Sequence, residues 1–338
     1  MGKPTRLALA ATLAGVTIAT GALASPPRDF PVEAKPVLDD RYPVHITHWA
    51  GGVTSLADVT YSTIPGYRPM VVDIYMPPKK AGPKPLILYI HGGGWVSGHT
   101  RHAGPMANFP AALARLASEG FVVASLEYRL AAEAPFPAPI QDARAALRFL
   151  KGRAAQYGID TTRTGIWGGS AGGHLAALTA LSCGDTTLDV PGTHAAPGSE
   201  CVQSAAIWYG VFDFGALSAS RPGGSDPATG KLLGCTGPCT PAQYAAASPV
   251  SYIAPKDPPF LLIHGEADKT VPVAQSHLAE DRLKAAGVPV SAIYIPGVDH
   301  SFIGSTPAQT RTATLRAMNA TYDFFHQTLD ATTKGAHQ

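Results

Sequence analysis

The sequence predicts an α/β fold, a mostly parallel eight-stranded sheet flanked by helices. Three observations point to it. Apolar runs of strand character alternate with helix-forming segments, the order that produces crossovers and a parallel sheet. Runs such as Phe260-Leu261-Leu262-Ile263 are apolar throughout rather than alternating, as in central strands covered on both faces. With 338 residues, 45% hydrophobic and only 15% charged, the chain can bury a substantial core, read here as one large domain.

Residues 1–24 read as a targeting segment. Lys3 and Arg6 precede the apolar stretch from Leu7 to Leu23, and Ala22-Leu23-Ala24 suits small-residue processing. A signal peptide cut after Ala24 is expected, giving a secreted or periplasmic protein; an uncleaved N-terminal anchor is the alternative. Residues 25–43, with five prolines, read as an extended leader, and 331–338 as a tail. The single domain is expected over 44–330. Its strands are expected at 56–62, 70–76, 85–90, 121–127, 163–167, 203–209, 259–264 and 290–295. The first two flank Pro65-Gly66 and read as an antiparallel hairpin. Helices are expected near 107–118, 139–157, 171–182, 271–286 and 308–328. After the sixth strand, residues 214–252 break the alternation, being rich in Gly, Pro, Ser and Ala. They read as a small cap or loop insertion above the carboxyl edge of the sheet, either a surface decoration or a wall of the ligand pocket.

The net charge of +2, without a basic stripe, argues against nucleic acid or an anionic membrane surface as a partner. Four cysteines, Cys183, Cys201, Cys235 and Cys239, suit an oxidising compartment. Three pairings are possible, and proximity favours Cys183 with Cys201 and Cys235 with Cys239. A zinc site is disfavoured by the lack of paired C-x-x-C knuckles. There is no H-E-x-x-H run and no G-x-x-x-x-G-K-[ST] phosphate loop, so no metal or other cofactor is expected.

Gly168-Gly169-Ser170-Ala171-Gly172 puts one serine where a strand turns into a helix. Thr164-Gly165-Ile166-Trp167 upstream is strand-like, and His174-Leu175-Ala176-Ala177-Leu178 downstream is helix-forming. Alone, the pattern also fits a tight turn capped by a serine. A second motif changes its weight: His91-Gly92-Gly93-Gly94-Trp95 directly follows the apolar run Pro85 to Ile90. Three glycines let backbone N–H groups face a ligand with no side chain in the way, as stabilisation of an oxyanion requires.

A serine hydroxyl is a poor nucleophile near neutral pH and needs a base, itself oriented by an acid. After the strand ending at Ile263, the loop from His264 offers Asp268, preferred over Glu266, which is expected to support the loop. After the last strand, Pro296-Gly297-Val298-Asp299-His300 presents His300 at the same edge, with Asp299 read as a turn residue. His91 is expected to fix the glycine loop by hydrogen bonding. It and Trp95 are also candidates for the substrate pocket, Trp95 as pocket wall or as ordinary core. His99 and His102 are expected in a solvated loop, with lining of the entrance as the alternative.

Gly168 to Gly173, His91 to Trp95 and Tyr128-Arg129-Leu130 together resemble exported α/β-hydrolase carboxylesterases. The resemblance is nearest to the bacterial feruloyl-esterase-type group, with hormone-sensitive-lipase-like esterases next, and covers about residues 56–327. The hormone-sensitive-lipase pattern usually has Asp before the serine, where this chain has Gly169. The resemblance implies an acyl-enzyme mechanism: Ser170 attacks the ester carbonyl, His300 moves the proton, Asp268 holds the imidazolium, and the N–H groups of Ala171, Gly93 and Gly94 bind the oxyanion. Short acyl, acetyl or feruloyl esters, free or linked to a polysaccharide, are the implied substrates. A prolyl-oligopeptidase-like peptidase or amidase, suggested by the segment from His264 to Gln275, and a non-catalytic binding protein on the same fold are the alternatives.

Overall fold

The computed structural model describes residue 2 and residues 41–64, 66–78, 82–191, 199–224 and 226–330. Apart from Gly2 and residues 41–43, the expected signal peptide and leader lie outside the described residues, as does the 331–338 tail. Among the described residues no helix is long and apolar enough to cross a membrane.

The chain begins with β1 (His45–His48), β2 (Thr54–Ser62), β3 (Met70–Met76) and β4 (Lys84–Ile90). It continues through α1 (Phe109–Ser118), β5 (Val122–Leu126), α2 (Ala138–Gly152), α3 (Ala154–Tyr157), β6 (Ile159–Gly169), α4 (Ala171–Leu181) and β7 (Ser204–Trp208). Three short helices follow, α5 (Phe214–Ala219), α6 (Pro227–Leu233) and α7 (Pro241–Ala247). The domain closes with β8 (Phe260–Gly265), α8 (Ala274–Ala285), β9 (Val290–Ile295) and α9 (Pro307–Leu329).

The strands form one sheet in the order β1-β2-β3-β5-β4-β6-β7-β8-β9. The first three neighbouring pairs are antiparallel, including the expected β2–β3 hairpin, and every pair from β5–β4 to β8–β9 is parallel. There are nine strands among the described residues, where the sequence suggested eight. The extra one, β1, reads His-Ile-Thr-His and is exposed at all four positions. An edge strand that buries nothing leaves no apolar alternation to detect. The expected helix over 139–157 is divided at Arg153 into α2 and α3.

Parallel pairing governs where the site can lie. Ile90 pairs with Gly168, Gly169 with Trp208 and Gly265 with Ile295, so β4, β6, β7, β8 and β9 all end at one edge. One face of the sheet packs against α2, α4 and α8, the other against α1 and α9. α4 is buried at all eleven positions, matching its lack of a polar face. Residues 214–252 carry α5, α6 and α7 as an excursion between β7 and β8. Cys235 and Cys239 are bonded to each other within it, and a second disulfide, Cys183–Cys201, joins the segment after α4 to the one before β7.

Candidate active site

Ser170 occupies the single residue between β6 and α4, at φ 57° and ψ −124°. This left-handed conformation is uncommon for a residue with a Cβ and is expected where a strand reverses sharply into a helix. Two backbone bonds hold it, Ser170 N–H donating to Trp208 O at 2.9 Å and His174 N–H to Ser170 O at 2.9 Å. The turn packs tightly against β4: a Cβ on Gly172 would stand 2.0 Å from the carbonyl oxygen of Ile90. Only glycine fits there.

The structure brings Ser170, His300 and Asp268 into one hydrogen-bonded row. His300 Nε2 lies 2.9 Å from Ser170 Oγ, and Nδ1 lies 2.7 Å from Asp268 Oδ2. A carboxylate accepts, so Nδ1 carries the proton and Nε2 presents its lone pair to the serine hydroxyl. Asp299, read from sequence as a turn residue, joins the two loops that make this row. Its Oδ1 accepts from His300 N–H at 2.7 Å and from Lys269 N–H at 2.9 Å. Glu266 is exposed and takes no part.

Asp268 is held from several sides. Oδ1 accepts the N–H groups of Thr270 and Val271 at 2.9 and 2.8 Å, and Oδ2 lies 3.2 Å from Nε2 of the buried His264. His264 in turn meets Val271 O through Nε2 at 2.8 Å and Ser276 Oγ through Nδ1 at 2.7 Å. Burial alone would raise the Asp268 pKa; hydrogen bonds from His264 and His300, the electrostatic pull of His300 and the Val271 N–H outweigh it and bring it down to about 2. Asp268 is therefore a carboxylate throughout the neutral range.

A cavity of about 270 Å³ opens over Ser170 and His300. Gly92, Gly93 and Gly94 form one wall, and Tyr89, His102, Tyr209, Thr270 and Ser301 most of the rest. The glycine turn is left-handed at Gly93 (φ 117°) and Gly94 (φ 59°). It crosses close over the elbow, since a Cβ on Gly92 would lie 3.3 Å from Ser170 Cβ. Ala171 begins α4, where a backbone N–H has no intrahelical acceptor. A serine with its base aligned, beside a glycine turn and a helix N-terminus, can attack an acyl carbonyl and receive the resulting oxyanion.

Two expectations need correction. Trp95 and His91, named as pocket candidates, do not line this cavity; both are buried behind the glycine turn. The Trp95 ring turns inward against His174 and Phe214, at 5.4 and 5.5 Å between ring centres. His91 stacks on Tyr128 at 4.4 Å, and its Nδ1 lies 2.7 Å from Gly92 O. Burial pushes the His91 pKa down to about 4, against a smaller upward pull from that carbonyl, so the ring is neutral. His102 lines the cavity, whereas His99 lies outside it, exposed. Among the described residues that line this cavity, none comes from 214–252.

Sequence reasoning missed Tyr209 and His264. Tyr209 directly follows β7 at φ 36°, with its ring 4.8 Å from the His300 ring. It also accounts for Gly169, where a Cβ would come within 3.0 Å of the Tyr209 ring and hydroxyl. The available signal was position: Tyr209 follows a strand at the same sheet edge, and His264 stands four residues before Asp268.

The family model described as BD-FAE matches residues 72–283. Esterase LipQ of Mycobacterium tuberculosis is 33% identical over 73% of this chain and 57% of its own. The chain spans about half the length of the curated relatives it matches. Among solved structures, a truncated carbohydrate esterase from gut microbiota is 28% identical with a TM-score of 0.66, covering 86% of this chain and 98% of that one. Esterase Est2 of the planctomycete Thermogutta terrifontis is 26% identical with a TM-score of 0.65, covering 82% and 94%. With the family model covering more than half of its length on a mostly parallel sheet flanked by helices, this chain belongs to the BD-FAE family of α/β-hydrolase fold proteins.

Proposed function

We propose that the protein is a serine esterase that hydrolyses carboxylic esters of short acyl groups. The observation that carries this reading is the continuous row from Ser170 Oγ through His300 to Asp268, whose Ser170 and His300 share one cavity with Gly93 and Gly94. In the first half-reaction Ser170 Oγ bonds to the ester carbonyl carbon while His300 Nε2 takes the hydroxyl proton. The oxyanion is received by the N–H groups of Gly93, Gly94 and Ala171. Collapse expels the alcohol, which leaves with the proton from His300, and an acyl-enzyme remains. Water, deprotonated by the same imidazole, attacks the acyl carbon and releases the acid. Asp268 keeps Nδ1 protonated and stabilises the transient imidazolium.

The cavity volume favours small acyl groups. At about 270 Å³ it sits just under the roughly 300–1,000 Å³ usual for small-molecule sites, which suits acetyl better than feruloyl. The similarity to a carbohydrate esterase makes acetylated saccharides a natural first class to try. The two disulfides support an exported protein. A series of nitrophenyl esters of increasing acyl length, run beside methyl ferulate, acetylated xylo-oligosaccharides and an aminoacyl arylamide, tests the reading. Hydrolysis falling off beyond short chains, and absent in Ser170→Ala, is expected. No turnover of any ester by the unmutated chain would sink it.

A further inference from the structure

We propose that His174 is a positioning residue for the oxyanion turn: set in one tautomer by the carbonyl of Ala247, it holds the Trp95 indole and, through it, the Gly93-Gly94-Trp95 backbone. The inference rests on the esterase reading above and adds a residue that touches neither substrate nor the reacting atoms.

The turn has a mechanical problem. Gly93, Gly94 and Trp95 are all left-handed, at φ 117°, 59° and 60°. Two glycines adopt this freely, but a tryptophan does not, so Trp95 is disfavoured there unless its surroundings hold it. The backbone contributes one tie, Ala131 N–H to Trp95 O at 2.7 Å. The side chain contributes the other, Trp95 Nε1–H to His174 Nδ1 at 3.1 Å, fully buried.

That second bond requires a particular imidazole. An indole N–H can only donate, so Nδ1 must carry a lone pair. His174 Nε2 faces Ala247 O at 2.8 Å, and a carbonyl can only accept, so Nε2 must carry the proton. Both demands are met by one neutral tautomer. Burial keeps the ring neutral by pushing its pKa down to about 4, against a smaller upward pull from Ala247 O. The need is reciprocal: Ala247 ends α7, and its carbonyl is among the terminal ones that no helical N–H can reach. Phe214, at the start of α5, closes the site edge-on to His174 at 4.8 Å.

His174 therefore joins three parts of the chain. It lies one turn beyond Ser170 on α4, it grips the oxyanion turn, and it is keyed by the 214–252 excursion. This gives the excursion a role that does not require it to line the cavity. Arg221, from the same excursion, donates to the carbonyls of Lys269 and Thr270 in the Asp268 loop.

Three substitutions separate the two bonds. His174→Asn puts an amide oxygen near the Nδ1 position and can still accept from Trp95; His174→Gln reaches Ala247 instead; Trp95→Phe removes the donor. Two readouts are used, steady-state kinetics on a nitrophenyl acetate and the rate at which a fluorophosphonate labels Ser170, since the phosphoryl oxygen enters the same hole. For His174→Gln and Trp95→Phe, kcat and the labelling rate are expected to fall together by roughly 10- to 100-fold with KM changed less than about 3-fold, the penalty of a displaced catalytic group. His174→Asn is expected to retain most of both rates, and His174→Gln combined with Trp95→Phe to be no worse than either alone. Wild-type rates in Trp95→Phe, or equal loss in the Asn and Gln variants, would overturn the proposal. Normal labelling with no ester turnover in the unmutated chain would count against the esterase reading instead, and the labelling series would still decide the role of His174.

Discussion

The two halves of the site are held by opposite chemistry. On one side, His300 and Asp268 sit in loops fixed by a charged network: the carboxylate takes two backbone N–H groups and two imidazoles, and Asp299 stitches one loop to the other. On the other, the glycine turn is fixed by neutral, buried rings, His91 on Tyr128 and Trp95 against His174 and Phe214. The difference follows from what each half must do. A group that transfers protons needs a fixed opposite charge beside it to stabilise its protonated form, whereas a turn that presents N–H groups needs a rigid support with no competing charge.

The sharpest way to break the charged half is to remove its ends. Ser170→Ala should lower kcat/KM on a nitrophenyl ester by roughly 10⁵- to 10⁶-fold, as loss of a nucleophile does in comparable triads. Its melting temperature should be unchanged. Asp268→Asn should cost about 10⁴-fold in kcat, because an amide can leave the imidazole in the wrong tautomer while the geometry survives. His264→Asn, which withdraws one donor from Asp268, should cost roughly 10- to 100-fold in kcat, the range of a hydrogen bond to a charged group, with KM nearly unchanged. An effect confined to KM would count against a role through the carboxylate.

Acid should separate the halves without mutation. His91 and His174 have an ordinary pKa of 6.5 and are held near 4 in the fold, so between those values the unfolded chain binds protons that the folded chain does not. Their contribution to stability is complete above pH 6.5 and is lost as pH falls toward 4, on the order of 3 kcal/mol for each. Asp268 behaves as a depressed carboxyl: its contribution is complete above its ordinary 3.8 and is lost only as pH falls toward 2. Thermal melts in steps from pH 7 to pH 3 should show the first loss in the upper window, reduced in His174→Asn. The smallest effect is expected for Arg221→Ala, whose guanidinium bonds are made at the exposed surface: activity within about 3-fold and stability within about 0.5 kcal/mol of wild type.

Most of this framework was legible in the chain because it depends on local patterns. The strand at 290–295 and the helix beginning at residue 171 stand where periodicity put them, and the serine, the acid and the histidine each follow a strand that ends at the same edge. What was not legible depends on encounters between distant segments. β1 is an edge strand with no buried face, so its residues carry no pattern. The inward turn of Trp95 depends on His174, and the tautomer of His174 on Ala247, far along the chain. His264 reads as one polar residue in a loop until β8 brings it beneath Asp268.

The contact between Tyr209 and Gly169 restricts how this site can diverge. A Cβ before the serine would come to 3.0 Å from the tyrosine ring and hydroxyl, so the ring must give by a few tenths of an ångström to admit one. A lineage moving toward an acidic residue at that position therefore has to shift or exchange the tyrosine packed against His300. The two positions are coupled through that contact, so the identity of residue 209 bears on which residues position 169 accepts.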